Sequence, residues 1–119
     1  MKSTPITVYS GLAYIDEEYI EVINAGDTFD LSSYDIKFQL RDTDAANALL
    51  SSVDLTVDAE NTNRVWPEMT SAITTAITGK NVAWMAMIRK TGATTGARLI
   101  GFGRVDVKLL APVGGAVWQ

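Results

Sequence analysis

A chain of 119 residues with 47% hydrophobic and 20% charged residues is long enough for one domain with a single core, and this composition excludes a wholly disordered chain. Cysteine and histidine are both absent, which excludes disulfides, thiolate nucleophiles, imidazole bases and metal sites built from those ligands. The net charge of −4 argues against binding nucleic acid through phosphate neutralisation.

The sequence predicts neither a membrane span nor a signal peptide. It contains no run of about 18 apolar residues, the length that a spanning helix needs. Lys2 is followed by Ser3, Thr4 and Pro5 rather than by an apolar block. We therefore expect no membrane partner and no secretion by the usual route.

The first forty residues predict short strands separated by turns. Residues 6–9 indicate a short edge strand or an extended arm, and residues 19–23 are rich in strand formers before a turn at residues 25–27. The clearest alternation covers residues 35–41, with three apolar residues facing inward: Ile36, Phe38 and Leu40.

The middle of the chain predicts a turn, another strand and one helix. Residues 42–44 indicate a polar turn, residues 48–50 are of uncertain type, and residues 53–57 alternate as a strand. Residues 64–66 predict a brief strand that Pro67 ends. A helix of about two turns follows, because Met69, Ile73, Ala76 and Ile77 fall near one helical face, with Thr70 or Ser71 as the cap and Gly79 at the stop.

Residues 79–109 predict two long strands, and the first of them is apolar on both faces. One face carries Val82, Trp84, Ala86 and Ile88; the other carries Ala83, Met85 and Met87. The second strand places Leu99, Val105, Val107 and Leu109 on one face. Residues 101–103 (Gly-Phe-Gly) interrupt it, which indicates a bulge or the close approach of a bulky neighbour such as Trp84.

These elements predict an all-β fold, an immunoglobulin-like β-sandwich of about seven strands with one short bridging helix. We expect residues 1–18 to form an N-terminal arm or edge strand, residues 19–110 the sandwich, and residues 111–119 a C-terminal tail.

The second apolar face of the first long strand predicts a protein interface. Burying a Met is worth about 1.5 to 3 kcal/mol, so a face with Ala83, Met85 and Met87 needs cover from this chain or from a neighbouring subunit. We favour the neighbouring subunit. We also predict that Trp118 belongs to the interface as an anchor in a partner's pocket; the alternative is a frayed side chain at the chain end.

Charge is divided unevenly along the chain. Residues 1–60 carry twelve acids and three bases, whereas residues 61–119 carry two acids and seven bases. Acidic strands can pair with basic strands inside one sandwich. Alternatively, each subunit presents an acidic side and a basic side, which favours head-to-tail packing into a ring.

Other constellations indicate chemistry only weakly. Asp42, Asp44 and Asn47 lack the spacing of a calcium loop, and the adjacent acids at residues 16–18 are typical of a solvated face. The aromatic residues could form a sugar-binding platform, though core or edge packing is the commoner role: Tyr9, Tyr14, Tyr19, Trp66 and Trp84. We predict no enzyme activity, no cofactor and no metal.

The order of these signals resembles a known family. The matching segments are residues 26–28 (Gly-Asp-Thr), 30–42, 79–84 (Gly-Lys-Asn-Val-Ala-Trp) and 103–107 (Gly-Arg-Val-Asp-Val). Together, over residues 19–110, they resemble the small immunoglobulin-like module at the N-terminus of baseplate upper proteins. Such modules recur in tail and baseplate proteins of tailed bacteriophages.

The resemblance implies a structural protein of the virion, made in the host cytoplasm and docking on other tail or baseplate proteins or on further copies of itself. A head-decoration or head–tail joining role would suit the same fold, and a carbohydrate-binding or cell-surface-binding module is the alternative from another class. The sequence departs from baseplate upper proteins in having no coiled region or receptor-binding module after the domain, so the resemblance does not extend to direct host recognition.

Overall fold

The computed structural model describes residues 3–15, 19–24 and 27–109, and strands dominate its regular structure. In chain order the strands are β1 Ile6–Tyr9, β2 Tyr14–Ile15, β3 Ile20–Glu21, β4 Ile23–Asn24, β5 Asp27–Thr28, β6 Tyr34–Asp42, β7 Ala48–Asp54, β8 Arg64–Val65, β9 Glu68–Met69, β10 Val82–Lys90 and β11 Arg98–Lys108. One short α-helix, α1, covers Ser71–Ala76. The predicted all-β class is confirmed.

Five strands form one mixed sheet in the order β1–β11–β10–β6–β7. The pairings of β11 with β10, β10 with β6 and β6 with β7 are antiparallel, whereas β1 runs parallel to β11. The strand predicted for residues 6–9 therefore lies at one edge of the sheet, and β7 lies at the other.

One face of this sheet lies in the core. In β6, the side chains of Ile36, Phe38 and Leu40 are each 2% exposed or less, as the alternation predicts. In β10 every second residue from Val82 to Ile88 is buried, and the residues between them are half-buried. Successive side chains of a strand point to opposite faces, so the predicted division of β10 into two faces is confirmed.

A second layer packs on the buried face. It contains three antiparallel pairs of two-residue strands, β2–β9, β3–β8 and β4–β5. Its buried apolar side chains join the core of the large sheet: Ile20, Val22, Leu31, Leu55, Val65, Met69 and Ile77. The predicted strands at residues 19–23 and 64–66 are thus shorter than the sequence indicates, and the turn at residues 25–27 falls partly outside the described residues.

The helix lies where the sequence places it. The hydroxyl of Thr70 accepts a hydrogen bond from the N–H of Ile73 at 3.3 Å, and Gly79 has a φ of +80° after the helix ends. The buried hydroxyl of Thr74 donates to the carbonyl of Leu12 at 2.9 Å. A six-residue helix is marginal alone, so its packing stabilises it.

Two further predictions concern the connection from β6 to β7. Thr43–Ala45 forms the expected polar turn, in which the carboxylate of Asp42 accepts from the N–H of Asp44 at 3.0 Å. Residues 48–50, of uncertain type in the sequence, belong to β7. Leu55 lies just beyond β7, so the strand predicted over residues 53–57 ends earlier than expected.

One face assignment in β11 is wrong. Ala86 pairs with Gly101 and Met87 pairs with Leu99, which leaves Ile100 as an extra residue in a bulge. Because of the bulge, Leu99 and Val105 point to different faces of the sheet. Val105 points into the core and is 5% exposed, whereas Leu99 points away from the core and is 40% exposed. A strict period of two cannot anticipate this reversal.

The predicted close approach to a glycine of residues 101–103 is confirmed. Trp84 lies opposite Gly103, and its indole stacks on Phe38 with ring centroids 5.8 Å apart. The indole Nε1 donates to the carbonyl of Thr4 at 3.0 Å. A Cβ at position 103 would lie 2.6 Å from that carbonyl oxygen and 2.7 Å from Nε1, so the contact requires glycine.

We predict that Gly103→Ala lowers the free energy of unfolding by about 2 to 3 kcal/mol, because the new methyl displaces the indole or breaks its hydrogen bond. Urea denaturation measures the loss. Gly92→Ala is the control: its φ is +85° but open space surrounds it, so we expect a cost of about 1 kcal/mol. An equal or smaller loss at position 103 would contradict the close contact.

Candidate interaction surface

The face of the five-stranded sheet that points away from the second layer is here called the outer face. Its centre is apolar: Met85 lies directly opposite Phe102, and Met87 directly opposite Leu99. These four side chains on two neighbouring strands form a two-by-two group, the apolar block. Ala83 extends the β10 row by one position.

Part of the apolar block is open to solvent. Phe102 is 43% exposed and Leu99 is 40% exposed, while Ala83, Met85 and Met87 are half-buried between neighbouring side chains. A shallow cavity of about 240 Å³ lies beside Met87 and is lined in part by Lys37, Gln39 and Ala97. The described part of the chain thus leaves a contiguous apolar group at the middle of a sheet face.

Cationic side chains surround the apolar block. Lys37 lies opposite Met87, and Arg41 and Arg104 flank Ala83 from the two neighbouring strands. Arg89 continues the β10 row beyond Met87. A directly opposite neighbour lies within about 5 Å and a diagonal one within about 7 to 8 Å, so these cations lie close enough to contact a partner that covers the block.

Hydrogen bonds and ion pairs hold several of these cations in place. Lys37 pairs with Asp54 at 2.5 Å, and Arg104 pairs with Asp106 at 3.3 Å. Arg41 donates to the carbonyl of Asn47 at 3.0 Å. Exposed pairs of this kind add little stability, about 0 to 1 kcal/mol each, so their value lies in orienting the charged groups.

The structure brings three of the four predicted interface residues together. Ala83, Met85 and Met87 share the outer face, whereas Trp118 lies outside the described residues. Sequence reasoning missed Leu99 and Phe102 as members of the same surface. Gly101 was the available signal for Leu99, because it lies next to the bulge that turns Leu99 outward, and the alternation with Arg104 was the signal for Phe102.

The residues considered for metal binding, acid–base chemistry or sugar binding do not form a site in the described part of the chain. The carboxylate of Asp44 accepts from the side chain of Asn81 at 2.6 Å, which fits an ordinary turn, and residues 3–15, 19–24 and 27–109 contain no group of three metal-ligating acids. The acids at residues 16–18 lie outside the described residues. Trp84 is 1% exposed and therefore cannot contribute to a sugar-binding platform.

A second surface lies on the solvent side of the β3–β8 pair. Tyr19 and Trp66 make an edge-to-face contact with ring centroids 5.4 Å apart, and the guanidinium of Arg64 lies 4.1 Å from the centre of the Tyr19 ring. Arg64 also pairs with Glu21 at 3.2 Å. The acidic-aromatic surface is defined here by six residues: Tyr19, Glu21, Asp58, Glu60, Arg64 and Trp66.

Asp58 belongs to this surface through two donors. Its carboxylate accepts from the N–H of Glu60 at 2.9 Å. That backbone bond, with a weaker contribution from the indole of Trp66, holds the pKa of Asp58 below its ordinary value of 3.8. The carboxylate is therefore fully ionised at neutral pH, and the surface keeps its negative charge there.

Because the folded-state pKa of Asp58 is lowered, its contribution to stability is complete above pH 3.8 and is lost as the pH falls through the lowered value. We predict that Asp58→Asn makes the free energy of unfolding less dependent on pH in that acidic window. Denaturant titrations at a series of pH values measure the slope. An unchanged slope in the variant would contradict the role given to these hydrogen bonds.

The exposure of the outer face can be tested by the stability of the isolated chain. Phe102→Ser should lower the free energy of unfolding by only about 1 to 1.5 kcal/mol, because Phe102 keeps 43% of its surface exposed and the variant loses only part of the value of a buried ring. Phe38→Ala, which empties a buried site in the same sheet, should cost about 3 to 5 kcal/mol. Thermal or urea unfolding compares them, and a comparably large loss for Phe102→Ser would mean that this chain covers its own outer face.

Comparisons with known proteins do not assign this chain to a family. No protein-family model matches the chain, and no curated protein matches it. Among the described residues, no helix is long and apolar enough to cross a membrane.

Proposed function

We propose that this chain is a non-enzymatic structural protein of a tailed-phage particle, which assembles in the tail or baseplate through contacts of its outer face. The observation that carries the proposal is the apolar block, where Leu99 and Phe102 remain 40% and 43% exposed beside two half-buried methionines. A surface of this kind gains free energy when another polypeptide covers it.

The composition of the outer face supports a protein partner. Interface centres are enriched in aromatic residues, Met and Arg, and charged residues gather at the rim. Here Met85, Met87 and Phe102 occupy the centre, and Arg41 and Arg104 lie beside it. Both methionines are already half-buried, so covering them adds part of the about 1.5 to 3 kcal/mol that full burial of a Met side chain supplies, and the exposed surfaces of Leu99 and Phe102 add to it.

The topology supports the immunoglobulin-like interpretation and, with it, the resemblance to baseplate modules. In variable-type immunoglobulin domains, strands C′, C, F and G are neighbours in one sheet. Strands β7, β6, β10 and β11 follow that order here. The β3–β8 pair in the second layer joins strands at the places in the chain that B and E occupy.

The partners proposed are other tail or baseplate proteins and further copies of this chain, and the location is the virion. A head-decoration or head–tail joining role uses the same outer face and the same chemistry. In each case the protein acts by binding other proteins. A substitution in the apolar block should therefore abolish assembly while the monomer still folds.

We predict that Met85→Glu leaves the monomer folded but excludes it from particles, because it puts a carboxylate at the centre of a surface that assembly desolvates. Circular dichroism checks the fold, and mass spectrometry of purified particles measures incorporation. Ala72→Glu, an exposed change on α1, adds the same charge elsewhere and should leave incorporation intact.

Normal incorporation of Met85→Glu would refute the assignment of the outer face. Absence of the unmodified chain from particles would refute the virion role itself.

A further inference from the structure

We infer that the outer face of one copy docks on the acidic-aromatic surface of a second copy, so that copies associate head to tail. This inference rests on the proposed function, and it names one partner for the outer face.

The two surfaces lie on opposite sides of the molecule. Ile20 and Val65 are fully buried and pair with each other across β3 and β8, so their side chains face the core. Their sequence neighbours Tyr19 and Trp66 contact each other on the solvent side of that pair. The outer face belongs to the other layer, so the core separates the two surfaces.

Their charges are complementary. Among the described residues, the outer face carries five bases and three acids: Lys37, Arg41, Arg89, Arg104 and Lys108 against Asp35, Asp54 and Asp106. The acidic-aromatic surface carries Glu21 and Asp58 against Arg64, and the exposed Glu60 adds a third acid two residues beyond Asp58, to whose carboxylate its N–H is bonded. Opposite potentials steer association and disfavour the contact of either surface with itself.

The side chains at the two centres are also of complementary types. Tyr and Trp rings make favourable contacts with methionine sulfur and with the guanidinium of arginine. The acidic-aromatic surface presents Tyr19, 36% exposed, and the half-buried Trp66; the outer face presents the half-buried Met85 and Met87 and the exposed Arg104. Such aromatic–Met and aromatic–Arg contacts are typical of interface hot spots.

The outer face is large enough for a specific interface. The three central strands have nine to eleven residues and the edge strands β1 and β7 have four and seven, so with a spacing of about 4.8 Å the face measures roughly 20 Å by 30 Å at its longest. That projected area approaches the about 800 Å² per partner that a standard interface buries. Because the two surfaces differ and lie on opposite sides, their contact repeats from copy to copy and gives a ring or an open stack.

Two variants test the inference, each with one of the two surfaces disabled. Met85→Glu disables the outer face, and the double variant Tyr19→Ala with Glu60→Arg disables the acidic-aromatic surface. Ala72→Glu is again the control for added charge. Circular dichroism checks each fold, and sedimentation velocity over a range of concentrations measures the mass.

We expect the unmodified chain and Ala72→Glu to form oligomers that grow with concentration. Each disabled variant alone should be monomeric, with a dissociation constant raised by about 100-fold or more. An equimolar mixture of the two should form a dimer and nothing larger, because only one pair of intact surfaces remains. That dimer is the result that supports head-to-tail contact.

Other results overturn the inference. If the acidic-aromatic variant alone still dimerises, the outer face binds itself through a two-fold axis. If the mixture stays monomeric, the two surfaces do not meet. If the unmodified chain is monomeric at every concentration while Met85→Glu is still excluded from particles, the inference fails and the proposed function stands with a different partner.

Discussion

The packing of the Trp84 indole against Gly103 is the contact on which the rest of the structure depends. The indole lies across β11, stacks on Phe38 and reaches the carbonyl of Thr4 at 3.0 Å. It thereby joins β6, β10, β11 and the segment that leads into β1. Since a strand alternates its side chains, fixing Trp84 in the core also fixes Met85 and Met87 on the outer face.

The outer face is thus a consequence of the core. The pairing that buries Trp84 sets Met85 opposite Phe102, and the bulge at Ile100 brings Leu99 opposite Met87. Two irregular features of β11, a glycine and an extra residue, therefore assemble one apolar block from two strands. We propose that this block, bordered by cations, is the surface through which the protein enters a larger assembly.

Much of the fold follows from the sequence because its strands alternate clearly. The burial of Ile36, Phe38 and Leu40, the Thr70 cap and the close approach at Gly103 need only local patterns and the size of the tryptophan. The position of Leu99 depends on a bulge in the pairing of β11 with β10, and period-two alternation carries no information about where an extra residue lies. Phe102 is in phase with Arg104, so alternation alone places it on the outer face; it was missed because residues 101–103 were interpreted as an interruption of the strand. The division of the second layer into short pairs depends on pairing between strands far apart in the chain, which local patterns do not contain.

The accessibility of the methionine sulfurs tests the account most directly. Oxidation of Met85 and Met87 to sulfoxide by peroxide, followed by mass spectrometry, can be compared between the isolated chain, diluted until it is monomeric, and assembled particles. Met69, 3% exposed in the core, is the internal control and should resist oxidation in both. The account predicts that Met85 and Met87 oxidise in the isolated chain and are protected after assembly; equal oxidation in the two states would contradict it.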